Sequence, residues 1–189
     1  MLVLVLGLIL FLGIHSVAIV AMPLRNRAVA ASEMGWKLFY AIISLAGLWL
    51  IAKGYAAYRV DPYIVYVTPV WMRHLSALLL LPVFILFLAP YFPGRIKRVT
   101  VHPQLIAVKL WAVSHLLVNG TLADLVLFGS FLAWAVVDRI SMKKRQQRPL
   151  PGAPASAYND VILVIVGLAL YGLTVVWGHK WLIGVAPFG

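Results

Sequence analysis

Two histidines, His15 and His115, are the residues of this sequence whose type and position most clearly point to chemistry. Each lies well inside a long apolar stretch, where an ionisable side chain costs free energy and so marks a candidate functional site. At about 1.5 Å per helical residue, both rings are expected roughly 5 Å from the centre of a membrane. Two histidines at similar depth on different helices can bind one metal ion, or one haem from its two faces. The residues alone also allow a hydrogen bond between helices or a proton relay.

The remaining histidines fall near the ends of the apolar stretches. His102 directly precedes a proline at a predicted helix start, which favours a structural role. His179 lies close to two tryptophans, a pattern that is typical of the membrane–water interface. His74 lies at the mouth of a predicted span. Three aromatic residues near the candidate ligands are expected to pack against neighbouring helices rather than to line a cofactor: Phe11, Trp111 and Trp134.

Residues 102–129 predict two helices joined by a very short turn. Pro103 is suited to a first helical turn, because the N–H that proline lacks has no intrahelical partner there. Asn119-Gly120 predicts a C-terminal cap, where a left-handed backbone conformation is common. Thr121-Leu122-Ala123-Asp124 has the spacing of a capping box for the following helix. The pattern therefore predicts a tight helical hairpin.

The composition of the 189 residues indicates an integral membrane protein. Hydrophobic residues make up 63% of the chain and charged residues 11%, and the mean hydropathy is +0.98, whereas soluble domains carry roughly 25% charged residues. A helix needs about 20 predominantly apolar residues to cross a membrane. The sequence therefore predicts an all-α, polytopic transmembrane helix bundle with six spans, near residues 2–22, 37–57, 73–91, 103–119, 122–138 and 160–183.

Basic residues are divided unevenly between the two sets of predicted loops. Four lie on one side, and eleven lie in or beside the first, third and fifth loops. Because cytoplasmic loops carry the excess of Lys and Arg, these odd loops are predicted in the cytoplasm and both termini in the periplasm. The net charge of +11 is then a topology signal, and no nucleic-acid partner is predicted. The eleven are Arg25, Arg27, Lys37, Arg95, Lys97, Arg98, Arg139, Lys143, Lys144, Arg145 and Arg148.

The domain organisation is predicted to be simple. Residues 1–189 form a single transmembrane domain without an internal repeat. Residues 139–158 form its one clear linker, a cytoplasmic loop that is basic at first and then rich in proline and alanine.

Several kinds of chemistry find no support in this sequence. The chain has no cysteine, which excludes disulfides, Zn–Cys sites, iron–sulfur clusters and the covalent attachment of c-type haem. It shows no Ser/His/Asp arrangement, no phosphate-binding loop and no paired intramembrane carboxylates, so neither a hydrolase nor a kinase is predicted.

Seven segments together carry a resemblance to a known family: Gly13–Ser16, His102–Leu105, Leu110–Ala112, His115–Gly120, Leu127–Ser130, Asn159–Asp160 and His179–Val185. They resemble the NnrU family over essentially the whole chain. The motif around His115 is specific, and the motif around His15 is short.

The resemblance implies a multi-pass protein of the bacterial inner membrane. Bacterial members are associated with denitrification, in the metabolism of nitrite and nitric oxide. The related plant enzyme, 15-cis-ζ-carotene isomerase, is a membrane haem b enzyme with histidine ligands. Carried over to this sequence, those cofactor-binding ligands of the haem iron are His15 and His115, and His102 and His179 are the reserve ligands.

Two functions of different classes follow from this resemblance. The first is haem-dependent redox or isomerase-like chemistry on a small or lipid-soluble substrate. The second is a non-enzymatic accessory or sensor factor in the membrane, with nitrite or nitric oxide reductase proteins as partners. A transporter is the least supported, because the chain lacks inverted repeats, broken helices and intramembrane acids.

Overall fold

The computed structural model describes residues 1–145 and 150–187, and its regular elements there are helices. The all-α prediction is therefore confirmed, and the β-type pairing described is an isolated bridge between Ile64 and Thr121. Two short irregular helical turns, Ala89–Tyr91 and Thr174–Gly178, extend longer helices. The helices are α1 (Leu2–Val20), α2 (Met22–Ala31), α3 (Glu33–Tyr58), α4 (Met72–Leu80), α5 (Val83–Leu88), α6 (Arg95–Thr100), α7 (Pro103–Leu116), α8 (Leu122–Ser141), α9 (Asn159–Leu173) and α10 (His179–Ile183).

Within the described residues, four helical stretches are long and apolar enough to cross a membrane. They correspond to the first, second, third and sixth predicted spans and are Leu2–Val20, Glu33–Tyr58, Met72–Tyr91 and Asn159–Ile183. The fourth predicted span corresponds to α7, whose 14 residues reach only about 21 Å. The fifth corresponds to α8, which is 20 residues long but carries charged residues near both ends.

The chain divides into two compact units, which we describe separately. The first unit comprises Met1–Val65 and Thr121–Trp134, and the second comprises Tyr66–Gly120 and Ala135–Gly189. Most of α8 therefore belongs to the first unit and its last two turns to the second. The single domain over residues 1–189 stays a prediction of the sequence.

The first unit is built on a close contact between α1 and α3. A Cβ atom at Gly7 would lie 2.5 Å from the backbone nitrogen of Ile51, and one at Gly47 would lie 2.7 Å from that of Phe11. Small residues at such positions let two membrane helices approach until their backbones touch. The contact also fixes which residues of α3 face α1.

The start of α8 confirms the predicted capping box. The backbone N–H and the hydroxyl of Thr121 donate to one carboxylate oxygen of Asp124, at 2.9 and 2.6 Å, and the N–H of Asp124 donates to the Thr121 hydroxyl at 3.2 Å. The other carboxylate oxygen accepts from the Tyr55 hydroxyl at 2.6 Å. Tyr55 therefore ties the end of α3 to the first turn of α8.

The predicted left-handed cap at Asn119-Gly120 is wrong. Helix α7 ends at Leu116, and the positive φ angles of the described residues occur elsewhere, at Val101 and Gly184. Instead, Tyr66 caps the carbonyl groups that follow α7. Its N–H donates to the Gly120 carbonyl at 3.1 Å, and its hydroxyl donates to the carbonyl of Asn119 at 2.8 Å. A side chain on Gly120 would collide with the Tyr66 carbonyl, so glycine is required here by close approach rather than by its φ angle.

In the second unit, Asn159 and Asp160 connect the start of α9 to the start of α6. The Asp160 carboxylate accepts hydrogen bonds from the backbone N–H groups of Arg95 and Ile96, at 2.7 and 3.1 Å. The Asn159 amide donates to the carbonyls of Pro93 and Pro154, at 2.9 and 3.0 Å. These contacts hold the proline-rich part of the predicted 139–158 loop. Residues 146–149 of that loop lie outside the described residues, and α8 extends to Ser141, so it includes the first three residues of the loop.

Candidate functional site

His15 lies in α1 and is surrounded by aromatic rings of the first unit. Its Nδ1–H donates to the carbonyl of Phe11 at 2.6 Å, and its ring stacks on the Phe11 ring with centroids 4.2 Å apart. The ring of Tyr40 lies 5.0 Å away, and the ring of Trp134 lies 6.0 Å away at 88°, in an edge-to-face arrangement. Three helices therefore contribute to the surroundings of His15, namely α1, α3 and α8.

His115 lies in the last turn of α7, in the second unit, and repeats this local geometry. Its Nδ1–H donates to the carbonyl of Trp111 at 2.8 Å, and the two rings are 5.3 Å apart at 51°. Like His15, it is half-buried. In both places an aromatic residue four positions earlier contributes the accepting carbonyl and a ring that contacts the imidazole.

These hydrogen bonds determine the tautomer of both neutral imidazoles. A carbonyl oxygen can only accept, so Nδ1 carries the proton in each ring and Nε2 keeps its lone pair. Histidines that bind metals are commonly oriented in this way, with one ring nitrogen donating to a carbonyl and the other coordinating the metal. Both rings are therefore suited to ligating iron through Nε2.

Two buried polar atoms of the first unit have no hydrogen-bond partner: the indole Nε1 of Trp134 and the hydroxyl of Ser44. Buried donors are almost always satisfied in proteins, so an unsatisfied pair calls for an explanation. Trp134 is also the tryptophan whose ring approaches His15. An unsatisfied donor beside a candidate ligand fits a bound group that carries acceptor atoms.

His102 is the N-cap residue of α7, which confirms its predicted place at a helix start, although its side chain makes no capping hydrogen bond. It is buried, with 9% of its surface exposed. Burial, together with the positive charges of Arg139 and Arg145, lowers the pKa of His102 below its usual value, and Asp138 partly opposes this shift. Asp138 also forms an ion pair with Arg145.

His179, the other reserve ligand, lies at the start of α10. Its Nδ1–H donates to the carbonyl of Val185 at 2.6 Å. Trp177 and Trp181 stack on each other with ring centroids 5.2 Å apart, and both are more than half exposed. This exposed aromatic pair is consistent with the predicted interfacial role.

The described residues contain no group of three or more His, Cys, Asp or Glu side chains that could hold a metal ion. A haem needs only axial ligands from the protein, since the porphyrin supplies the other four. Sequence reasoning selected His15 and His115 but missed the contact with Tyr40 and the unsatisfied Ser44. Only the spacing of four residues between Tyr40 and Ser44, which places both on one helix face, could have pointed to them.

The exposed surface of the candidate spans shows which class of protein this chain belongs to. The candidate spans carry large exposed apolar side chains, such as Ile9 on α1, Ile42 on α3 and Ile165 on α9, each more than 60% exposed. Such surfaces suit lipid rather than water, so the chain is a helical membrane protein.

A family model described as NnrU protein matches residues 3–187. The chain therefore belongs to the NnrU family, which confirms the resemblance seen in the sequence. No curated protein and no solved structure matches it.

Proposed function

We propose that this protein binds haem b, with His15 and His115 as the axial ligands of the iron. The observation that supports this most directly is the tautomer common to both rings, in which Nδ1–H donates to a backbone carbonyl and Nε2 keeps its lone pair. Haem would supply a redox-active iron, and the protein would hold and tune it. The aromatic neighbours of each histidine would restrict rotation of the imidazole ring.

The proposed activity is redox or isomerase-like chemistry on a small or lipid-soluble molecule, in nitrite and nitric oxide metabolism. Its support is the family resemblance. The alternative is an accessory or sensor protein that acts with nitrite or nitric oxide reductases. Ligation by both histidines would favour that alternative, because it would leave no position on the iron open for a substrate, which suits electron transfer or sensing. Turnover of a candidate substrate by purified haem-loaded protein would separate the two.

We also propose that α7 and α8 complete a six-span topology in the bacterial inner membrane, with both termini in the periplasm. The support is the distribution of basic residues, eleven on one side and four on the other. A short α7 can be accommodated by local thinning of the bilayer or by packing against longer helices.

The absorption spectrum of the detergent-purified protein tests the haem proposal. We expect a Soret band in the wild type and its loss in His15→Ala and in His115→Ala, because each variant removes one axial ligand. The matched control is His74→Ala, which removes an exposed histidine in the first turn of α4 and should retain the band. If the double variant His15→Ala/His115→Ala keeps the full Soret band, the two histidines are not the ligands.

A further inference from the structure

Trp134 and Ser44, both in the first unit, have polar groups that would take no part in the ligation of iron by His15. Both side chains bury a polar atom without a hydrogen-bond partner in the described structure. The indole Nε1–H of Trp134 is only a donor, and the Ser44 hydroxyl can donate. A donor that is buried without an acceptor is costly, so the two atoms indicate that an acceptor belongs here in the functional protein.

Trp134 lies beside His15, and the position of Ser44 follows from helical spacing on α3. The Trp134 ring approaches the His15 ring at 6.0 Å, edge to face. Ser44 lies on α3 four residues after Tyr40, whose ring is 5.0 Å from His15, and three residues before Gly47, which touches the backbone of Phe11. Helical spacing therefore places Ser44 on the face of α3 that packs on α1.

Apolar rings also lie close to His15. Phe11 stacks on His15, and the Phe131 ring lies 5.6 Å from that of Phe11. Two neutral donors in an apolar setting suit a ligand that is mainly hydrophobic and carries an acceptor at its edge. A haem has this composition, because its ring is apolar and its two propionates end in carboxylates.

We propose that Trp134 and Ser44 donate hydrogen bonds to a propionate carboxylate of the haem that His15 ligates. The inference rests on the proposed function and assigns two residues beyond the axial ligands. Hydrogen bonds to an ionised acceptor are stronger than those between neutral groups. Trp134 is four residues before Asp138, in the part of α8 that approaches the proposed cytoplasmic surface, where a propionate charge is least costly.

The experiment compares haem with its dimethyl ester, in which both carboxylates are blocked. The dissociation rate of each from the detergent-solubilised protein is measured by transfer to an excess of a haem-scavenging globin. In the wild type we expect haem to leave about tenfold more slowly than the ester, the effect of a hydrogen bond to a charged group. Trp134→Phe and Ser44→Ala should each reduce this ratio several-fold.

Two controls test whether the effect belongs to these donors. Trp49→Phe changes an exposed tryptophan of α3, and Ser16→Ala removes a hydroxyl that already donates to the Leu12 carbonyl at 2.6 Å. Both should keep the wild-type ratio. Because each ratio compares two ligands on the same variant, a lower yield of folded protein does not alter it.

The outcomes separate this inference from the proposed function. Wild-type protein that binds neither haem nor the ester overturns both. Wild-type protein that binds both but releases them at equal rates overturns only the propionate contact. The same conclusion follows if Trp134→Phe and Ser44→Ala both keep the wild-type ratio.

Discussion

At the scale of single residues, the two candidate ligands are held in the same way. His15 and His115 each donate Nδ1–H to the carbonyl of an aromatic residue one turn earlier, Phe11 or Trp111. The Phe11 ring then stacks on the His15 imidazole, and the Trp111 ring contacts the His115 imidazole at a tilt of 51°. This local pattern fixes ring orientation before any cofactor binds, which reduces the conformational entropy that ligation would otherwise cost.

Asp124 is a second residue whose environment is unusually well defined. It is 2% exposed, and its carboxylate accepts from Tyr55 and twice from Thr121. We expect Asp124→Asn to lower the free energy of unfolding by about 1–3 kcal/mol. The asparagine side chain would place its NH₂ group, a donor, against the donors of Tyr55 or Thr121. The measurement is thermal unfolding in detergent. Asp61→Asn, at an exposed position, is the control, and equal midpoints for the two variants would contradict the prediction.

His102 should make stability depend on pH. Burial and the nearby arginines lower its pKa from the usual 6.5, so the folded state disfavours the protonated ring. Its contribution to stability is complete above about pH 6.5 and is lost as the pH falls through the lower folded-state pKa. Between about pH 7.5 and about pH 5, the Tm of wild type should fall more than that of His102→Gln. His74→Gln should follow wild type, and parallel curves for all three proteins would rule out this role.

At the scale of elements, the turn after α7 depends on a contact made far along the chain. Tyr66 lies in the segment between α3 and α4, and its backbone and hydroxyl bind the carbonyls of Gly120 and Asn119. The hydroxyl shares its single proton between the carbonyl of Asn119 and that of Leu116, the last residue of the helix. The end of α7 is thus satisfied by a side chain from outside the helix rather than by its own C-terminal residues.

Gly120→Val should therefore reduce the yield of folded protein much more than Gly129→Ala. A side chain at residue 120 would overlap the Tyr66 carbonyl, whereas a Cβ at Gly129 meets no described atom within 4 Å. Folded yield can be measured as the monodisperse fraction of each variant after extraction from membranes. Equal yields would show that the close approach of Tyr66 and Gly120 is not required.

At the scale of the whole molecule, charge and hydropathy give the strongest constraints. Four described stretches can cross a membrane by length and composition, and the basic residues are concentrated in alternate loops. The helices at 103–116 and 122–141 form where the fourth and fifth spans are predicted. The side of the membrane on which the following loop lies, cytoplasmic or periplasmic, tests whether these two helices cross the membrane.

A reporter fusion at Ala155 should identify a cytoplasmic site, because the preceding residues supply five of the eleven basic residues on the predicted inner side. Fusions after Asp61 and at the C-terminus should report the periplasm. A periplasmic signal from the Ala155 fusion would disprove the proposed orientation.

The sequence by itself determined the features that depend on composition or on neighbours within one helical turn. The membrane class follows from 63% hydrophobic residues, the start of α7 from Pro103, and the capping box from the three-residue spacing of Thr121 and Asp124. Each of these depends on backbone geometry that is the same in any protein. The two candidate ligands were also found in this way, since a histidine in an apolar run is unusual on any helix.

Only the tertiary structure decided the features that join distant parts of the chain. Tyr66 rather than a left-handed glycine completes the turn after α7, and Tyr55 of α3 donates a hydrogen bond to Asp124 of α8. The approach of Trp134 to His15 joins residues more than a hundred positions apart. Sequence spacing does not encode such contacts, because they depend on how the helices within each unit pack.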